Sequence, residues 1–138
     1  MNRYQILIEY EGTLYNGWQI QKKGKSIQEN IEIVLTKLLK EKIKIYGSGR
    51  TDTGVHAKEQ SAHFDTTNKI IQKDKLLNSL NFFLNKKKIS ILKIKKKNKL
   101  FHSRYSAKER RYTYLIRNDV SPSVINFNRA VSYTHLRA

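Results

Sequence analysis

Arg50 and Asp52 stand two residues apart in the stretch GSGRTDTGVHA, Gly47 to Ala57. On an extended backbone, side chains at that spacing point the same way, so a guanidinium and a carboxylate could share one pocket. A nearby guanidinium favours the ionised form of a carboxylate, which would ready Asp52 as a nucleophile or proton acceptor. Glycines at 47, 49 and 54 let the backbone turn with positive φ or let another backbone approach. The same residues would also suit a plain turn, with Asp52 capping backbone N–H groups and Arg50 paired to it.

The flanking segments supply elements that could position this loop. Lys42–Tyr46 alternates apolar and polar residues and predicts a strand entering it, and Gln60–Asp65 predicts a strand leaving it. Upstream, Arg3–Tyr10 places Tyr4, Ile6, Ile8 and Tyr10 on one face of a strand. Glu11–Gly24 is a glycine-bearing connection containing Tyr15 and Trp18; these rings could stack on bases beside Lys22, Lys23 and Lys25, or Trp18 and Ile20 could plug the core edge. Ser26 and Glu29 form a capping box, and apolar residues at three- and four-residue spacing from Ile27 to Leu39 predict a helix ending near Lys40 or Glu41. Ile70–Leu84 predicts a second amphipathic helix and Ile89–Ile94 a fourth strand, with Lys95–Lys99 a solvated turn. The order βαββαβ predicts an α+β, ferredoxin-like antiparallel sheet with both helices on one face. Residues 3–96 would form this domain. Leu100–Ala107 and Glu109–Arg117 predict further strands, opening a second part over 97–131, and 132–138 reads as an atypical tail.

Among 138 residues, 28 Lys and Arg face 11 Asp and Glu, a net charge of +17, which points to a polyanionic partner such as nucleic acid. The abundance of Lys, Asn and Ile would also follow from A/T-rich coding. With no cysteine there are no disulfides or thiolate metal sites. No long apolar run predicts a membrane span, and MNRYQILIEY lacks the apolar segment of a signal peptide. His56, His63, His102 and His135 show no ligand spacing, and no metal site is expected. Arg104, Arg110 and Arg111 are candidate RNA contacts, with Tyr112 and Tyr114 interleaved among arginines on the predicted strand, though the same mixture suits ordinary strands. A glycosidic hydrolase would need a second carboxylate at a defined separation, for which only Glu59 or Asp65 could be proposed.

Three segments together resemble the TruA family of tRNA pseudouridine synthases: YEGTLYNGWQIQ with SIQENIE, GSGRTDTGVHAKEQSAHF, and FHSRYSAKERRYTYLI. They come in the family's order and cover nearly all of Arg3 to Arg117. The resemblance implies that Asp52 performs covalent chemistry at a uridine, that Arg50 holds the target nucleotide out of the stack, and that Tyr112 lies against the base. It further implies isomerisation of uridines in the tRNA anticodon stem-loop without cofactor or metal, by a cytoplasmic homodimer. A non-catalytic RNA-binding module of the same shape, or an inactive fragment of the enzyme, is the alternative. Members of the family are longer, with a second half and a later arginine-bearing motif that nothing here matches. SYTHLRA also departs from the expected continuation. The expectation is therefore a truncated chain or an artefactual C-terminus.

Overall fold

A computed structural model describes residues 1–112, together with the backbone of Leu115–Arg117 and Ala130–Ser132. The chain divides into two compact units, Met1–Ala107 and Lys108–Ala138.

The first unit holds β1 (Asn2–Tyr10), α1 (Ile27–Leu39), β2 (Ile45–Gly47), β3 (Ala57–Thr66), α2 (Lys73–Leu84) and β4 (Ile89–Lys97). The four strands form an antiparallel sheet in the order β2-β3-β1-β4, the ferredoxin-like arrangement expected from the element order. Period-two alternation sends Tyr4, Ile6, Ile8 and Tyr10 of β1 to one face. There they join Ala62 and Phe64 of β3, Ile89, Ile91 and Ile94 of β4, and the buried stripes of α1 and α2 in a single core. The opposite face is set by register: Tyr46 lies opposite His63, His63 opposite Gln5, and Gln5 opposite Lys95.

Local chemistry explains the boundaries. The Ser26 side chain accepts the Glu29 amide at 3.1 Å and starts α1, which ends at Lys40 in the left-handed region (φ 56°). β2 is shorter than Lys42–Tyr46 because α1 side chains take up its backbone. Thr36 Oγ1 accepts the Ile43 amide (3.1 Å), Glu32 accepts the Ile45 amide (3.0 Å), and Gln28 donates to the Ile45 carbonyl (3.1 Å). An edge strand covered in this way cannot recruit another strand. In β4 the register against β1 shifts between Leu7 and Ile8, and Asn81 of α2 bonds both the amide (2.7 Å) and the carbonyl (2.9 Å) of Ile91 there.

Several sequence expectations need correction. α2 starts at Lys73, not Ile70, whose amide instead donates to the Tyr4 hydroxyl at 2.8 Å. β4 runs on to Lys97, so Lys95–Lys97 are strand and the turn expected over Lys95–Lys99 begins only after them. Leu100–Ala107 is not a strand but a chain of turns folded over the sheet. Ile20 is exposed and plugs nothing, whereas Trp18 is buried.

In the second unit, β5 (Leu115–Arg117) pairs in parallel with β6 (Ala130–Ser132). The strand predicted from Glu109 is confined to these three residues among those described. Thr113 and Tyr114 lie outside the described residues, as do 118–129 and 133–138, which hold most of the tail expected to be atypical.

Candidate active site

The loop between β2 and β3 carries Arg50 and Asp52, and the connection between β1 and α1 clamps it. The Trp18 amide donates to the Thr51 carbonyl (3.1 Å) and the Gly54 amide to the Tyr15 carbonyl (3.3 Å). The Gly12 amide donates to Nδ1 of His56 (2.9 Å), and the hydroxyls of Tyr10 and Thr51 are 2.6 Å apart. Two glycines outside the motif make this approach possible. A Cβ on Gly12 would lie 1.9 Å from the Val55 carbonyl oxygen, and one on Gly17 would lie 2.5 Å from that of Thr51, at a φ of +85°. Trp18 and Tyr15, both buried, form the base of the clamp, with the Trp18 indole against Gly47 and 6.2 Å from the Tyr10 ring. The connection also completes the start of α1, because the Gly17 and Trp18 carbonyls accept the amides of Ile27 and Gln28 (3.2 and 3.0 Å). Tyr15 and Trp18 are thus spent on packing, and base stacking by them is corrected to a core role.

Arg50 and Asp52 are left on the outside of the clamped loop, both exposed. The Asp52 carbonyl accepts the Val55 amide at 3.1 Å. Its carboxylate caps no backbone group, contrary to the plain-turn alternative, and no ion pair joins it to Arg50. The expected pairing is therefore absent in this conformation. The residues that hold the backbone are thus distinct from the residues free to act on a ligand. No described side chain encloses Asp52, and two shallow concavities of the described surface are lined by residues of α1 and α2 and the segment before α2.

Arg104 lies in the turn after β4, in the first unit, and is exposed. Arg110, Arg111 and Tyr112 belong to the second unit. All three are exposed, Tyr112 at 63%, and Arg111 pairs with Glu109 at 2.9 Å on the surface. Asp65 is held by Arg3 through two bonds of 2.9 Å (Nε–Oδ1 and Nη2–Oδ2). Those bonds keep its carboxyl below the usual carboxylate range and occupy it, which removes it as a second acid. Among the described residues no group of three or more His, Cys, Asp or Glu is arranged to hold a metal ion. Sequence reasoning missed Gly12, Gly17, Tyr10, Thr51 and His56 as the clamp. The only signal available was the pair of glycines in the connection, whose partner loop is distant in sequence.

A family model described as tRNA pseudouridine synthase matches residues 6–106. The chain is 60% identical over 121 residues to tRNA pseudouridine synthase A of Pelagibacter ubique, covering 88% of this chain and 49% of that protein. It is 43% identical over 130 residues to the protein of that name from Anaplasma phagocytophilum (92% and 52%) and 44% over 129 residues to that of Ehrlichia chaffeensis (93% and 52%). The chain thus spans about half the length of the curated relatives it matches.

Proposed function

Because the chain belongs to the tRNA pseudouridine synthase family, we propose that it isomerises uridine to pseudouridine in the anticodon stem-loop of tRNA, with Asp52 as the catalytic carboxylate. The observation that carries this reading is the clamped loop, which fixes the backbone through Thr51, Gly54 and His56 while presenting the Asp52 carboxylate outward. A rigid backbone under a reactive group is what positional catalysis requires.

The reaction breaks the bond between N1 and the sugar C1′ and joins C5 to C1′. A proton leaves C5 and one is gained at N1, so atoms balance and the chemistry calls for no cofactor or metal. The base must leave the helix stack and be retained while it turns. The Asp52 carboxylate can attack the sugar, attack the base, or remove a sugar proton, and these three routes stay open. Arg50, two residues away on the same loop, would hold the nucleotide out of the stack, and Tyr112 would support the base by stacking. Arg104, Arg110 and Arg111 would meet phosphates, in keeping with the net charge of +17. The family reading also carries a homodimer acting in the cytoplasm, and among the described residues no helix is long and apolar enough to cross a membrane.

One observation favours a second reading. Asp52 is exposed with no enclosing pocket among the described residues, as an RNA-binding module without catalysis would have it. Incubation with an unmodified tRNA transcript, followed by chemical mapping of pseudouridine, separates the two. The isomerase reading expects pseudouridine in the anticodon stem-loop, and none in a transcript whose uridines there are replaced by cytidine. A tRNA that is bound yet unmodified would overturn it in favour of the binding module.

A further inference from the structure

The segment after β4 folds back over the face of the sheet opposite the helices. Arg3 fastens it: Nη1 donates to the carbonyls of Lys99 (3.0 Å) and Phe101 while the rest of the guanidinium grips Asp65. His63, 1% exposed, is the anchor on the sheet side, its Nδ1 accepting the Ser103 amide at 3.1 Å. The turn itself is closed by its own bonds: Ser106 N–H to the His102 carbonyl (2.8 Å), His102 N–H to Ser106 Oγ (3.0 Å), and Arg104 N–H to His102 Nδ1 (3.1 Å). This is why the predicted strand at Leu100–Ala107 does not form.

The rings within this fold make a continuous series. Tyr46 stacks on His63 (5.2 Å, 23°), His63 meets His102 edge-on (4.6 Å, 69°), and His102 lies 4.3 Å from Tyr105. Of the inner rings His63 is buried and His102 half-buried, and the two ends are open: Tyr46 is 47% exposed and Tyr105 79%. Packing accounts for the inner members. It does not account for a tyrosine held almost wholly in solvent by a turn whose backbone is fixed. The surroundings are cationic. The Arg104 guanidinium lies 5.9 Å from the Tyr105 ring, Lys97 sits 5.2 Å from Phe101, and Lys95 shares the cross-strand row with His63. The acid within the cluster, Asp65, is already neutralised by Arg3.

We propose that Tyr105 and Tyr46 are base-stacking ends of a platform on the sheet face opposite the helices, which holds unpaired nucleotides of the RNA that the proposed isomerase binds. Exposed, pre-oriented rings in a cationic frame match unpaired nucleic acid, where π-faces and phosphates alternate. The inference rests on the RNA-binding part of the preceding reading and not on its chemistry.

The test uses the present chain with a fluorescein-labelled single-stranded oligouridylate, read by anisotropy, and with a 2-aminopurine analogue, read by quenching on stacking. Tyr105→Ala is expected to weaken binding about tenfold and to abolish most of the quenching, within the range seen for loss of one stacked base. Tyr46→Ala should weaken binding several-fold. Tyr105→Phe should bind within about twofold of the parent, because the ring acts and not the hydroxyl. Tyr105→Leu keeps an apolar side chain and should bind as weakly as the alanine variant, which guards against an effect of folding alone. The proposal fails if both alanine variants bind like the parent, if phenylalanine is as weak as alanine, or if leucine restores binding. It also fails if polyglutamate competes with the oligonucleotide and loses affinity equally on Tyr105→Ala, since the surface would then recognise charge on a protein. Asp52→Asn should leave binding and quenching unchanged. In the parent chain, intact stacking with no pseudouridine formed in a tRNA transcript would refute the isomerase and keep the platform.

Discussion

His63 links the stability of the first unit to pH. The ring is buried between Tyr46, Phe101 and His102, near Arg3 and Asp65, and burial, then Arg3 and His102, lower its pKa from 6.5 to about 4. Its Nδ1 accepts the Ser103 amide, so the neutral ring carries its hydrogen on Nε2, and protonation would set one N–H against another. The unfolded chain takes up a proton near pH 6.5 and the folded chain only near 4. Between those values the unfolded state binds more protons, so stability is full above pH 6.5 and is lost as pH falls towards 4. At about 1.4 kcal/mol per pH unit the loss amounts to about 3 kcal/mol. His102, also lowered mainly by burial, acts in the same direction, while Asp65 adds its loss only below its ordinary range, near pH 4 and under. Urea melts of the parent and of His63→Asn at pH 7, 6, 5 and 4.5 measure this. The variant should be less stable at pH 7 and lose less stability across the range, keeping only the His102 contribution until Asp65 titrates, while the parent should approach it as pH falls. Equal slopes for the two proteins, or a parent whose stability is constant from pH 7 to 4.5, would refute the reasoning.

Other consequences follow from the same contacts. Trp18→Ala removes the base of the clamp and should cost about 3–5 kcal/mol of stability, read in the same melts. Gly12→Ala drives a Cβ into the Val55 carbonyl and should lower pseudouridine formation at least tenfold, the loss expected when a reactive group is displaced by a fraction of an ångström. Its tRNA affinity, measured by anisotropy, should change far less. Asp65→Asn breaks a partly buried pair and frees the guanidinium that fastens residues 99–101. A loss of about 1–3 kcal/mol is expected, with faster proteolysis after Lys99.

The frame of the first unit was readable because its apolar residues keep strict periods. Tyr4, Ile6, Ile8 and Tyr10 alternate as a strand, and Ile27, Ile31, Val34 and Leu35 recur as a helix. Errors arose where a tertiary bond replaces the expected one. Thr36 takes the amide of Ile43, which stays outside the strand that begins at Ile45, and Arg3 with His63 folds Leu100–Ala107 into turns despite its strand-like composition. The site was half readable. Asp52 and Arg50 announce themselves by type and spacing. The clamp does not, because Gly12 and His56, or Tyr10 and Thr51, are paired only by the fold. Nor does any local pattern reveal that the Arg50–Asp52 pair stays open, since that depends on where the clamped backbone aims the two side chains.

The central claim is that the carboxylate at position 52 does the chemistry while the loop beneath it only holds it in place. The most direct measurement compares parent and Asp52→Asn for pseudouridine formed in a tRNA transcript at saturating protein, with binding and melts recorded in parallel. Because the side chain is exposed and unpaired, the variant should melt within about 0.5 kcal/mol of the parent and bind tRNA equally, yet form no pseudouridine. Product formed by the variant at the parent rate would contradict the account.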